Sequence, residues 1–256
     1  MGCSPHLPAG QACAGLDLRR ALRYMTPVNR DMTGPGRTCL GLLSRRQCLV
    51  PTLRGWLLLA GSLVALAVLA VLELPSFLAV TDPVPGGVLV VEGWEPDYML
   101  EFATAEFKRN HYTKLFVTGL PIEQGRFLSQ YTNFANVGAA SLVKLGMDPN
   151  DVQAVPCGKI RRDRTYNTAL ALKHWLRDHN LAPTKVNVIT GGAHARRSRL
   201  LFQAALGTGV SVGVIAMSPN DYDEKQWWRS SQGVRVLIGE TIAYAYARLV
   251  FHPTPE

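Results

Sequence analysis

The chain has 256 residues and a formal net charge of +8 at neutral pH. Six of those eight charges fall in the first 54 residues, where eight arginines face two aspartates, so the basic excess reads as a topology signal and not as a nucleic-acid footprint. Of five cysteines, Cys3, Cys13, Cys39 and Cys48 precede residue 55 at spacings that match no zinc pattern, and Cys157 stands alone beyond it, which excludes a disulfide within the main domain.

Residues 1–54 are rich in Arg, Pro, Gly and Thr without sustained periodicity, which predicts a disordered, basic tail. Met25 and Met32 are alternative starts. Gly55 to Leu72 is an uninterrupted uncharged run, about the shortest that crosses a bilayer core as a helix. Residues 55–80 therefore read as a transmembrane anchor with a juxtamembrane segment, Ser76 to Val80 either extending the span or lying in the interface. A cleaved signal peptide is the rival, but its apolar core is usually shorter and no small-x-small site follows the run. Arginines before the span predict a cytoplasmic N-terminus and a domain on the far side of the membrane.

Asp82 to Gly87 reads as a linker into an α/β domain over 86–252, long enough to bury its own core. Val88–Val91 is a buried-type strand, and Pro96–Asn110 is helical with Leu100, Ala103 and Phe107 on one face. Lys114–Thr118 is a strand ending in Gly119, Phe134–Leu145 a helix stopped by Gly146, and Val152–Val155 a short strand. Asp163 is the expected N-cap of a helix carrying Tyr166, Ala169, Leu172 and Leu176 at helical spacing. Lys185–Ile189 is a strand, Arg196–Leu206 a helix, Val210–Ala216 a strand and Val234–Leu249 a final helix. Short apolar strands alternating with helices predict a Rossmann-like open, mostly parallel sheet of about five strands, helices on both faces, preceded by one transmembrane helix.

In such a sheet ligands bind beyond the carboxyl ends of the strands. Four segments converge there: Glu92-Gly93-Trp94, Thr118-Gly119, the loop before Asp163, and Thr190-Gly191-Gly192-Ala193-His194. The two glycines are expected to allow a tight turn, and the following helix start to offer free N–H groups to an anion. His194 is the candidate general acid or base, or else a histidine that hydrogen-bonds the turn. Arg197 either points into the crevice or lies on a solvated face, while Arg196 and Arg199 read as surface charges. Glu92 is a candidate base or cation ligand. Arg164 and Thr165 are site candidates, with Arg161 and Arg162 solvated, and Trp227-Trp228 reads as a packing or interfacial pair. The set suits a phosphate, carboxylate or sugar-phosphate. Motifs for dinucleotides, for phosphate-binding loops and for serine hydrolases are missing, and no two histidines sit at metal-ligand spacing, so no cofactor or metal is assigned.

Two segments carry a family resemblance. Arg164-Thr165-Tyr166-Asn167-Thr168-Ala169 resembles the Asn-Thr-Tyr-Glu-Asn-Ala helix start of the YdcF/SanA/ElyC-like bacterial proteins. Thr190 to Arg197 resembles that family's Thr-Ser-x-x-His-x-x-Arg motif, with Thr190, His194 and Arg197 at the matching positions. The family's Glu and second Asn fall on Asn167 and Thr168 here, so the resemblance carries over to Thr165, His194 and Arg197. It implies an α/β domain linked to envelope integrity and to peptidoglycan or lipid-carrier metabolism. A soluble member has been proposed to bind S-adenosylmethionine.

The expected function is that of a membrane-anchored envelope protein. Its outward-facing domain binds, with or without transforming it, a phosphate-bearing glycan or polyprenyl lipid carrier. Glu92, Gly93, Thr118, Gly119, Arg164, Thr165, Thr190, Gly191, Gly192 and Arg197 would be ligand-binding, and His194 catalytic. The alternatives are a nucleotide- or S-adenosylmethionine-binding enzyme and a non-catalytic scaffold.

Overall fold

The computed structural model describes residues 43–45, 49–125 and 127–253. Most of the predicted tail, with Cys3, Cys13, Cys39, Cys48 and both alternative starts, lies outside the described residues. The chain divides into two units, Met1–Leu66 and Ala67–Glu256. In the first, β1 (Leu43–Arg45) pairs antiparallel with β2 (Leu49–Pro51), Leu43 opposite Pro51. Helix α1 (Leu53–Leu78) follows and starts where the Thr52 hydroxyl accepts the Gly55 N–H.

Helix α1 has 26 residues, about 39 Å at ~1.5 Å per residue, enough to cross a hydrocarbon core of about 30 Å. Its most apolar window has a mean hydropathy of 2.5 and none of that window is buried. The sequence places the span over Gly55–Leu72 and leaves 76–80 open; the helix in fact continues to Leu78, through Pro75. Proline has no N–H to give the carbonyl four residues back, which is that of Val71. The indole Nε1–H of Trp227 donates to this Val71 oxygen at 3.1 Å. At the C-terminal end, Arg196 Nε donates to the Phe77 carbonyl, with its guanidinium 4.2 Å from the Phe77 ring centre. A cation is thus supplied from another helix to a helix end whose last turn carries no basic residue of its own. Arg196, expected as a surface charge, is a cap. Leu78 is fully buried and clusters with Ala193, Trp227 and Leu237. Trp227→Phe removes the donor while keeping a ring, and is expected to cost about 1 kcal/mol in denaturation of the full chain in detergent.

The second unit holds the sheet. Its strands are β3 (Val88–Glu92), β4 (Leu115–Gly119), β5 (Val152–Pro156), β6 (Lys185–Gly191) and β7 (Ser211–Met217). They lie in the order β5-β4-β3-β6-β7, with every neighbouring pair parallel. The five-strand parallel α/β architecture read from the sequence is therefore the one observed. Alternation along β3 splits the core. Val88 and Val90 face α4 (Arg164–Asp178) and α5 (Ala195–Leu206), contributing to a cluster with Leu172 and Phe202. Leu89 and Val91 face α2 (Asp97–Arg109) and α3 (Phe134–Lys144), in a cluster with Leu100 and Leu142. The last helix, α6, runs over Ser231–Leu249.

The linker expected at 82–87 is pinned to the sheet. Asn187, fully buried in β6, accepts from Val84 N at 2.8 Å and donates to the Val84 and Gly86 carbonyls. Asp82 bridges to Val214 and pairs with Arg199 at 2.8 Å, so Arg199 also has a structural partner.

Several boundaries move for local reasons. Pro96 is the N-cap of α2 instead of its first turn. Helix α6 begins three residues early because the Ser230 side chain accepts from Gly233 N. Strand β6 extends to Gly191 because Thr190 and Gly191 keep pairing with Ala216 and Met217 of β7. The tight glycine turn expected at 191–192 is therefore absent: Gly191 is extended, with φ −61° and ψ 140°, and Gly192 opens a 3-10 turn that ends at His194. Asp163 does sit at the N-cap of α4, but in the left-handed region at φ 51° and with no side-chain cap bond. Instead the Asn167 amide ties the loop down, donating to the carbonyls of Arg162 and Asp163 at 3.1 and 3.0 Å.

Candidate functional site

The chain runs outward from β3 to β4 and β5, then returns to β6 on the other side of β3. Strands β3 and β6 are therefore neighbours whose onward connections leave in opposite directions, the point where an open α/β sheet forms a crevice. Glu92 ends β3, Gly191 ends β6, and the 3-10 turn carries His194 over the gap. A cavity of about 1160 Å³ opens there.

Three carboxylates surround His194. Its Nδ1 lies 3.0 Å from Glu240 Oε1, and its Nε2 lies 3.6 Å from Glu92 Oε2. Glu240 comes from α6 and is clamped by Arg197, whose Nε donates to Oε2 at 2.8 Å and whose Nη2 donates to Oε1 at 3.0 Å. Arg197 Nη2 is also 2.8 Å from His194 Nδ1. Nδ1 cannot both donate to Glu240 and accept from Arg197. Burial by itself would raise the Glu240 carboxyl, but hydrogen bonds from His194 and Arg197, with their charges, outweigh it and bring the group down to about 2. An ionised carboxylate is the stronger partner, so the proton belongs on Nδ1. Whenever the ring is neutral, that tautomer puts the lone pair on Nε2, on the side of Glu92. Among the described residues, Glu92 Oε2 and His194 Nε2 are both buried without a hydrogen-bond partner.

Glu95, the third carboxylate, lies three residues past the end of β3 and is buried. Its Oε1 accepts from Gly191 N at 3.2 Å and from Thr190 Oγ1 at 3.3 Å. Burial, followed by repulsion from Glu92, raises its carboxyl to about 7, with the Gly191 bond and His194 opposing. The strand-end groups expected to receive an outside anion are therefore occupied from within the protein. At Gly192 the close neighbour is Glu224, whose Oε1 would stand 2.6 Å from a Cβ there and, as the end of a flexible side chain, can move aside.

The cavity has two other surfaces. Lys159, Arg161 and Arg164 form a cationic rim, with Thr165 beside them at the start of α4. Leu201, Val236, Ala243, Ala247 and Phe251 form an apolar wall, largely from α6.

The structure brings together Glu92, Arg164, Thr165, Gly191, Gly192, His194 and Arg197 around this cavity. It does not place Gly93, Thr118, Gly119 or Thr190 on the lining. Gly93 and Gly119 let α3 settle on the sheet: a Cβ at Gly93 would be 2.2 Å from Phe134 O, and one at Gly119 2.3 Å from Ala135 N. Thr118 is fully buried, with its hydroxyl unpartnered among the described residues. Arg197 reaches the crevice but is spent on Glu240. Arg161 is exposed, as expected, and also lies on the cavity rim. Sequence reasoning missed Glu95 and Glu240. Glu95 was within reach, as it follows Glu92-Gly93-Trp94 directly, whereas nothing local marks Glu240. No protein-family model and no curated protein matches the chain.

Proposed function

We propose that the chain is a membrane-anchored envelope protein whose α/β domain binds a phosphate-bearing glycan or polyprenyl carrier and acts on it by proton transfer. The observation that carries this reading is the pair formed by Glu92 Oε2 and His194 Nε2, buried, facing each other at 3.6 Å and, among the described residues, without a hydrogen-bond partner. A buried polar atom without a partner costs about 1–3 kcal/mol, and a catalytic role is one of the reasons such a group is kept. His194 is the catalytic residue in this reading, with Nε2 as the base and Glu240 holding its tautomer. The acidic centre suits a neutral sugar hydroxyl better than a phosphate. The phosphate belongs at the rim of Lys159, Arg161 and Arg164, and an apolar tail against the α6 wall. The arginine excess before α1 favours a domain on the extracytoplasmic side. The motif resemblance to the YdcF/SanA/ElyC-like family points to the same envelope setting.

The test uses the full chain in nanodiscs with polyprenyl phosphate and polyprenyl diphosphate sugars, following binding by thermal shift and products by mass spectrometry. His194→Ala and Glu92→Gln are expected to keep binding and lose turnover by about 10²- to 10⁴-fold. Lys159→Glu with Arg161→Glu is expected to weaken binding. Turnover unchanged in both His194→Ala and Glu92→Gln sinks the proton-transfer reading. No thermal shift with any of these ligands favours a scaffold. A C-terminal reporter found in the cytoplasm would overturn the orientation and favour a nucleotide or S-adenosylmethionine ligand.

A further inference from the structure

A helix on the surface of a water-soluble domain turns a polar stripe outward. Helix α6 does not. Leu237 is buried and packs, with Val234 and Tyr244, against Leu74 and Leu78 of α1. Val236, Glu240, Ala243 and Ala247 line the cavity. The remaining stripe carries Ile238, Ile242 and Leu249, exposed by 47%, 65% and 73%, with Gly239 and Ala245 between them. Arg235 and Arg248 are exposed near its two ends. Val250 extends it and Trp228, from the preceding 3-10 turn, is exposed by 43%.

What covers this stripe follows from where α6 is held. The Phe77 ring packs edge-on against Tyr244, with centres 5.6 Å apart, and Trp227, next to Trp228, is bonded to Val71. Phe77 is five residues past Leu72, the end of the uncharged run, or about 8 Å along the axis at ~1.5 Å per residue. The polar interface of a bilayer is about as deep as that. A helix docked at Phe77 therefore lies at headgroup level if α1 crosses the membrane. An apolar stripe with flanking arginines and an exposed tryptophan is the composition of a surface-lying helix at an anionic lipid interface.

We propose that the exposed face of α6 rests on the bilayer surface, with Ile238, Ile242 and Leu249 in the acyl–headgroup boundary and Arg235 and Arg248 on anionic headgroups. The proposal rests on α1 being a span but not on any activity. The opposite side of the same helix forms the apolar wall of the cavity, so the lipid surface and the site share one element.

The test places a benzophenone side chain, one position at a time, at Ile242, at Leu63 in α1 and at Arg177 on the exposed side of α4. The full chain goes into nanodiscs containing phosphatidylglycerol and is irradiated. The expected result is lipid adducts at 63 and 242, with only background at 177. Adducts at 63 without adducts at 242 overturn the docking while leaving the anchor intact. Crosslinks from 242 to a second copy of the chain, in place of lipid, overturn it in favour of a dimer. If 63 also fails to label, both the anchor and the docking fall.

Discussion

Arg197→Met is expected to lower the unfolding free energy by about 3–5 kcal/mol, the cost of leaving a buried partner charge uncompensated. Both side chains of the pair are less than one-fifth exposed, and Arg197 makes a two-pronged contact with Glu240. Without it, Glu240 keeps the His194 bond, and its carboxyl moves up from about 2. The double variant Arg197→Met with Glu240→Leu is expected to recover most of the loss, because a buried ion pair replaced by apolar groups of similar volume is often neutral. Chemical denaturation of the single and double variants in detergent reads this directly. The outcome separates two roles for Arg197. An arginine reserved for a ligand phosphate would change stability little when removed and would abolish binding instead. That pattern would return Arg197 to the ligand.

The second large effect is a pH dependence centred on Glu95. Its carboxyl is raised from 4.5 to about 7 in the folded chain, so the fold favours the protonated form. The associated stability is fully present below pH 4.5 and is lost as pH rises through 7. The loss amounts to about 3 kcal/mol by pH 8, since each pH unit between the unfolded and folded values is worth ~1.36 kcal/mol. Glu95→Gln keeps an oxygen for Gly191 N and Thr190 Oγ1 but cannot ionise, so its stability is expected to stay flat over the same range and exceed that of the wild type at pH 8. Glu240 acts in a separate window with the opposite sign: its lowered carboxyl contributes stability above pH 4.5 that is lost on acidification toward 2. Denaturation at pH 5, 6.5 and 8 therefore reads Glu95 with little interference from Glu240. Equal slopes for wild type and Glu95→Gln would show that Glu95 is ionised throughout.

The crevice thus holds two carboxyls displaced in opposite directions, Glu240 lowered to about 2 by His194 and Arg197 and Glu95 raised to about 7 by burial. Environments that push neighbouring titratable groups apart are the usual mark of acid–base chemistry. Glu95 lines the same cavity as Glu92 and His194 and is held there by Gly191 N and Thr190 Oγ1.

The sheet and the edge where its strand ends gather were legible because they follow from short-range pattern. Four to seven apolar residues, a turn residue and a helical stripe repeat along 88–249, and parallel topology then fixes which strand ends meet. His194 was legible for the same reason, sitting between the end of β6 and the start of α5. The misreadings are equally local. Gly191-Gly192 has the composition of a turn, but continued pairing with β7 holds Gly191 extended. Gly93 and Gly119 have the character of ligand-approach residues, but the close neighbour is helix α3. Gly93, Gly119 and Gly192 all do mark places where another group approaches closely, and the identity of that group depends on elements distant in sequence.

The class of fold, the apolar run long enough for a span and the strand–helix junction that carries His194 are each written in neighbouring residues, so the order of residues suffices for them. Tertiary structure alone decided the electrostatics of the site. Glu240 reaches His194 from a helix 46 residues further along the chain, and with Glu95 it turns an expected cationic pocket into an acidic one with its positive charge on the rim. Charge interactions depend on distance and burial, and neither can be read from the order of residues when the partners come from separate elements. The same holds at the membrane end: Pro75 announces a vacant carbonyl at Val71, but only the folded chain shows that Trp227 fills it.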